Sequence, residues 1–361
     1  MTAIATALDL PAGSPGGSVE LLYDLYAGST PLIPARAFML RGDHPPPPPI
    51  VTLQAKERCL AGPGFWAYAN ALTVQLNTAL DCSRIALLHL QHLTFGATPA
   101  LIRALPRCPS IALVHGTDLL FASNNDTQHQ VLDQAIRFAT KIVIPTPAMA
   151  PQLLRLAPHL DPTKIEHIPW GIPDQLLNRP PGRDRPNRTG AFRLLYAGRL
   201  TAEKGLLNLA EACTRNRDTV LSIAAPADQY SAIAPLLQEL RCPHHYLGWL
   251  DRRTLWSCFT DHDALAVPST VLEAFGLVAL EAQASGLPVI YQPVPGLIDV
   301  LTDTALPTDF TDPTALRTTL GRLRRDPTML ADLRTAGYAN ARRFPISATA
   351  TALTALGNQI A

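Results

Sequence analysis

Strand-length apolar runs alternate with amphipathic helical stretches along this chain, and the alternation runs twice with a polar break between. In the first half the expected strands are Thr2–Leu8, Ala37–Leu40, Ile50–Leu53, Ile85–Leu90, Ile111–His115, Lys141–Pro145 and Ile165–Ile168. Helical patterns lie between them at Val19–Tyr26, Phe65–Leu80, Thr98–Leu105, Thr127–Thr140 and Pro147–Leu156. Continuous apolar strands separated by helices predict a parallel sheet covered on both faces. The stretch Asn178–Thr189 (NRPPGRDRPNRT) holds almost nothing apolar and reads as an exposed linker. Alternation restarts at Phe192–Tyr196 and continues through Val220–Ala224, His245–Leu247, Ala264–Val267 and Pro288–Tyr291, with helices expected from Lys204, near Ser231–Leu240 and from about Phe275.

The predicted class is therefore α/β, with two Rossmann-like, doubly wound domains and a ligand cleft where their strand ends face. The expected domains are 1–175, a linker at 176–190, a second domain at 191–345, and a last helix at 346–361 that could pack on either half. His44–Pro49 (HPPPPP) reads as a stiff loop.

Composition narrows the function classes. Thirty Lys+Arg against 29 Asp+Glu give a net charge of +1, which carries no electrostatic case for a nucleic-acid partner. No run of about 18 apolar residues is present, and MTAIATALDLP lacks a charged leader region, so the expectation is a cytoplasmic protein without integral membrane association. The six cysteines are scattered, as for reduced thiols. Cys242, His244 and His245 sit together, as do His89 and His92, yet no four-ligand spacing accompanies them, and no metal site is expected.

Chemistry concentrates in two segments of the second half. In PSTVLEAFGLVALEAQASGLPVI (Pro268–Ile290) a strand enters a short loop and a helix start near Phe275 and Gly276. Helix starts leave N–H groups free and favour a diphosphate. Glu273 stands before that helix and Glu281 inside it, about 12 Å apart along the axis at ~1.5 Å per residue. Carboxylates accept paired hydrogen bonds from vicinal diols, and a nucleotide sugar offers a diol at each end. The plain alternative is a pair of glutamates solvating a surface helix. In LLYAGRLTAEKGLLNLAEA (Leu194–Ala212), Arg199 and Lys204 flank a loop at a strand's C-terminal end, where open sheets bind ligands. A planar fork and a point charge both suit a diphosphate; a basic surface turn is the alternative.

These segments together resemble the retaining glycosyltransferases of the GT-B fold, family 4 group (glycosyl transferases group 1). The resemblance covers nearly the whole chain and is strongest in the second half, where the E-x7-E signature is Glu273 and Glu281. It implies a hexosyltransferase-type enzyme moving a sugar from a UDP- or GDP-sugar to a small acceptor. On that resemblance Glu273 binds the donor sugar, Glu281 the ribose, and Arg199 and Lys204 the diphosphate, with Phe275, Gly276, Leu277 and Val278 contributing backbone amides. Gly16 and Gly17, in the loop after the first strand, match the family's glycine loop near the donor phosphates. His115, in SIALVHGTDLLF, matches its HG-type motif, so the catalytic set is His115, Arg199, Lys204 and Glu273. Asp118 and His92 are candidate acceptor contacts.

Departures from the family pattern are Trp170 where Asn is usual, IAAPAD (Ile223–Asp228) in place of a glycine-bearing turn, and Asp299 where Glu is frequent. The implied reaction needs no cofactor or divalent metal, because the cations supply the charge. A small soluble acceptor, such as a specialised-metabolite intermediate, is expected, and a homodimer is compatible. A sugar-nucleotide epimerase or a phosphorylase on the same fold, or a silent nucleotide-sugar-binding module, are the competing readings.

Overall fold

The computed structural model describes residues 3–55, 58–182, 190–216 and 218–361. The chain divides into two compact units, Met1–Trp170 with Ile346–Ala361, and Gly171–Pro345. The division falls at Trp170/Gly171, earlier than the expected boundary at 175. Of the expected 176–190 linker, residues 183–189 lie outside the described residues, and its start is the end of a short helix, Asp174–Asn178.

In the first unit the strands are β1 (Ala3–Pro11), β2 (Ala35–Leu40), β3 (Val51–Leu53), β4 (Ile85–Gln91), β5 (Ser110–Leu113), β6 (Lys141–Ile144) and β7 (Ile165–His167). They form one sheet in the order β3-β2-β1-β4-β5-β6-β7, with every pairing parallel. β5 is buried along its whole length and β1 and β4 along most of theirs, which accounts for their unbroken apolar sequence. The last helix, Ile346–Ile360, belongs to this unit, packing on β5 and on the Gly17–Tyr26 helix.

In the second unit β8 (Phe192–Ala197), β9 (Thr219–Ala224), β10 (His244–Gly248), β11 (Ala264–Val267), β12 (Val289–Tyr291) and β13 (Leu306–Pro307) pair in the order β10-β9-β8-β11-β12-β13, again all parallel. Phe192, Leu194, Leu209, Leu221, Ile223 and Phe310 are among its core residues.

Both sheets reverse their winding direction at one place: between β1 and β4 in the first, between β8 and β11 in the second. The chain diverges to opposite sides there, leaving a crevice beyond the carboxyl ends of the two strands. In the second unit those ends deliver Gly198–Lys204 and Pro268–Gly276. In the first they deliver the glycine loop after Pro11 and the Gln91–Gly96 turn.

Three local expectations are revised. β5 stops at Leu113, so His115 lies in the turn beyond it rather than in the strand. A helix at Thr117–Asn124 follows directly, and only after it comes Asp126–Phe138. Lys204 closes a 3-10 turn (Ala202–Lys204), and the helix proper is Leu206–Thr214.

Candidate functional site

The turn after β8 and the loop after β11 meet in an ion pair. Lys204 Nζ donates to Glu273 Oε2, and Ser269 Oγ donates to the same oxygen at 2.9 Å. Burial alone would push the Glu273 carboxyl up. Lys204, Ser269 and the nearby Arg199 guanidinium outweigh it and hold the group below the usual carboxylate range. Arg199 is partly exposed, and its carbonyl accepts from the buried Tyr196 hydroxyl, which fixes the backbone of the turn. Thr270 N donates to Glu203 O at 2.8 Å, tying the two loops together by main chain as well.

The helix after Glu273 runs Leu277–Ala284, with Gly276 as its N-cap at φ +75°. Phe275 and Gly276 are thus outside it, and Leu277 and Val278 are its first two residues, whose N–H groups have no helical partner by geometry. Because Gly276 turns the chain, Glu273 and Glu281 do not share one helix. The expected separation from helical rise therefore does not apply. Glu273 is anchored separately: its N–H donates to Pro295 O at 3.2 Å, and a Cβ on Gly296 (φ +88°) would stand 1.7 Å from Glu273 O. Only glycine lets the 294–297 turn pass so close beneath the glutamate.

Glu281 is only 5% exposed and faces protein. Arg252 donates Nε and Nη2 to Oε1 at 2.8 and 2.5 Å, and Trp256 Nε1 donates to Oε2 at 3.0 Å. Arg252 and Trp256 lie four residues apart on the Arg252–Phe259 helix, on one face, and Asp251 caps that helix by accepting from Arg253 N and Thr254 N.

In the first unit, Gly16 (φ +146°) precedes the Gly17–Tyr26 helix, and a Cβ there would meet nothing within 4 Å, so the loop leaves open space over its backbone. At the end of β4, His92 adopts φ +52° and its ring stacks on Phe95 (4.3 Å between centroids) and beside His115 (4.4 Å). His115 stacks in turn with Trp170 at 5.8 Å. Trp170, the departure from the family pattern, thus supplies a flat wall against the histidine. His115 Nε2 is 2.9 Å from Gln91 Oε1, and the packed surroundings push its pKa down to about 3 although the ring keeps a partly exposed edge.

Asp118, expected beside an acceptor, is fully buried and serves the backbone instead. It accepts the N–H groups of Leu93, His115 and Leu119, each at 3.2 Å. Burial pushes its pKa up to about 6 against those donors. His92 is 3% exposed and offers little surface to a ligand. Among the described residues no group of three His, Cys, Asp or Glu side chains could hold a metal ion, and no helix is long and apolar enough to cross a membrane. His244, from one metal-like cluster, pairs with Tyr230 Oη at 2.9 Å.

With this geometry in view, residues 183–340 match the model of the glycosyl transferases group 1 family. The chain carries a glycosyl transferases group 1 domain. It is 30% identical over 242 residues to the D-inositol 3-phosphate glycosyltransferase of Xylanimonas cellulosilytica, covering 61% of this chain and 57% of that one. The chain spans little more than half of that relative's length. Among solved structures, sucrose-phosphate synthase from Thermosynechococcus elongatus matches with a TM-score of 0.78 at 20% identity over 99% of both chains. An Anabaena protein in complex with UDP and glucose matches at 0.77 and 16% over the whole of both. At these identities the likeness is one of fold: α/β of the GT-B class, with two Rossmann-like units.

The group 1 domain contains partners that its motif does not disclose. Arg252 and Trp256 lie outside the Pro268–Ile290 segment, although an Arg and a Trp four apart behind an Asp cap share one helix face. Gln91, an amide closing the apolar strand IALLHLQ, carried a comparable signal: a polar side chain in a strand buried on both faces requires a partner.

Proposed function

We propose that the chain transfers a sugar from a UDP- or GDP-sugar to a small hydroxyl-bearing acceptor with retention of anomeric configuration. The observation that carries this reading is the Lys204–Glu273 pair beside Arg199, built from the ends of β8 and β11 at the sheet's switch point. A lone ion pair would be a structural contact. This one has Arg199 close enough to act on Glu273, and Glu273 stands four residues before Leu277, where the helix start leaves N–H groups without helical partners.

In the reaction the bond between the anomeric carbon and the β-phosphate oxygen breaks, and negative charge grows on the departing diphosphate. Arg199, Lys204 and the Leu277–Val278 amides stabilise that charge in this reading, where a divalent cation would otherwise serve. Glu273, kept ionised by its cationic neighbours, accepts hydroxyls of the sugar. Glu281 has one lone-pair position left on Oε2 for a ribose hydroxyl, with Arg252 and Trp256 holding the others. The acceptor hydroxyl attacks the face the phosphate leaves, and its proton passes to a phosphate oxygen. His115 of the first unit matches the family's HG-type motif and is the residue we assign to orient a substrate hydroxyl. The Anabaena neighbour's bound UDP and glucose support a uridine donor, and the named substrate of the Xylanimonas relative supports a polyol acceptor.

The test is direct. UDP- and GDP-sugars are screened for thermal stabilisation, then incubated with polyol acceptors, and the product's anomeric configuration is read by proton NMR. Transfer with the donor's configuration supports the reading; an inverted product, or nucleotide-sugar turnover without glycosylated acceptor, overturns it.

A further inference from the structure

The side chains beneath His115 determine which of its ring nitrogens carries the proton. The backbone carbonyl of His89 can only accept. Thr6 Oγ1 lies 2.8 Å from it, so the single hydroxyl hydrogen is used there and Oγ1 must accept from any other partner. Gln91 Nε2, 3.2 Å from Thr6 Oγ1, is that donor, which fixes the orientation of the Gln91 amide; its other N–H points toward Tyr26 Oη at 3.4 Å. Gln91 Oε1 is therefore the atom 2.9 Å from His115 Nε2. A carbonyl oxygen cannot donate, so Nε2 bears the hydrogen. The ring is neutral because its packed surroundings disfavour charge, and a neutral ring protonated at Nε2 carries its lone pair on Nδ1.

We infer that His115 acts through Nδ1 as a hydrogen-bond acceptor for a substrate hydroxyl, and that Gln91 is the positioning residue that makes it one. The neighbours agree with a neutral acceptor. The rings of His92 and Trp170 pack against it, Asp118 faces the His115 backbone N–H, and the buried imidazole of His89 is held at Nδ1 by Tyr26 Oη at 2.7 Å. An imidazolium could donate but not accept. A ring protonated at Nδ1 would set one lone pair against Gln91 Oε1. Only the identity of the hydroxyl rests on the proposed glycosyl transfer; the tautomer rests on the hydrogen bonds alone.

The experiment combines ring-nitrogen NMR of protein labelled with 15N-histidine and steady-state kinetics of two variants. Wild type is expected to show His115 neutral and protonated at Nε2, and a ring protonated at Nδ1 overturns the inference. Gln91→Leu removes the acceptor, and it is expected to mix the tautomers and lower kcat about tenfold, the worth of one hydrogen bond, with donor KM little changed. Gln91→Glu keeps an acceptor at Nε2. It is expected to retain wild-type kcat where its carboxyl is protonated, donating to Thr6 Oγ1 and accepting from Nε2 as the amide does, and to lose it as the pH rises and the carboxylate faces Thr6 Oγ1 with no hydrogen between them. Unchanged tautomer and kcat in Gln91→Leu, or equal losses in both variants at every pH, overturn the assignment. If Gln91→Leu does not fold, wild type and Gln91→Glu decide. A chain that transfers no sugar overturns the proposed function and the substrate half of this inference, while the ring spectrum still decides the tautomer half.

Discussion

Arg252 holds Glu281 by two nitrogens on one oxygen, Nε at 2.8 Å and Nη2 at 2.5 Å from Oε1, with the pair nearly shut off from water. A carboxylate so enclosed is stable only while its partner is present. Arg252→Met is expected to cost about 3 kcal/mol of stability, the usual penalty for a buried charge left unpaired. The double variant Arg252→Met with Glu281→Gln is expected to recover much of that loss without regaining nucleotide affinity. Denaturant unfolding and nucleotide titration of the three proteins check both halves, and an unchanged unfolding midpoint in the single variant contradicts the pairing.

Lys204 carries a different load, because its partner Glu273 and the crevice beyond it both need the charge. Lys204→Ala is expected to leave the fold intact by circular dichroism and to lower kcat about 10²- to 10³-fold, the effect of deleting one preorganised charge-stabilising group. The same variant frees Glu273 from the cation that offsets its burial, so the carboxyl titrates higher. Donor binding should then weaken on acidification at a higher pH than in wild type. A variant whose kcat stays within a factor of three of wild type removes Lys204 from the leaving-group role.

Two glycines separate backbone strain from collision. Gly296→Ala would drive a Cβ to 1.7 Å from Glu273 O, so the loop carrying Glu273 must move, and nucleotide should no longer raise the melting temperature. Gly28→Ala (φ +98°), outside the glycine loop, meets open space and bears only the cost of its positive φ, about 1–3 kcal/mol. Donor-induced stabilisation should survive in Gly28→Ala and vanish in Gly296→Ala; equal behaviour of the two contradicts the close packing under Glu273.

The parallel sheets were legible because strands covered on both faces must be apolar throughout, and β5, β6 and β11 read that way in any window. The helices Pro313–Arg325 and Pro327–Ala341 went unread. Asp312-Pro313 and Asp326-Pro327 open them with a capping carboxylate and a proline in the first turn, and Asp312 and Asp326 do accept from Thr314 N and Met329 N. In Pro313–Arg325 an arginine-rich exposed face hid the apolar stripe of Leu316, Leu320 and Leu323. At the site, the motif residues were legible one by one, but the Lys204–Glu273 bond joins residues far apart in sequence and exists because β8 and β11 are neighbours in the sheet. Asp118 was misread because its exposure, not its position after His115, decides what it can touch.

Buried histidines give the first unit a measurable acid sensitivity. His89 is wholly buried in β4, and burial pushes its pKa from 6.5 down to about 4. Above 6.5 both folded and unfolded chains hold it neutral, so its contribution is complete there. As pH falls toward 4 the unfolded chain binds a proton that the folded chain refuses, and stability is lost. At 1.36 kcal/mol per unit, His89 alone removes about 2 kcal/mol between pH 7 and pH 5. His115, pushed down to about 3, acts in the same direction, whereas Asp118, pushed up to about 6, gains stability over the same interval and partly offsets them. His89→Gln keeps a hydrogen-bonding partner for Tyr26 Oη but cannot titrate. Its unfolding free energy should therefore fall by about 2 kcal/mol less than that of wild type between pH 7 and pH 5. Urea unfolding at the two pH values measures that difference directly, and parallel slopes for the two proteins mean that His89 takes up its proton inside the folded chain.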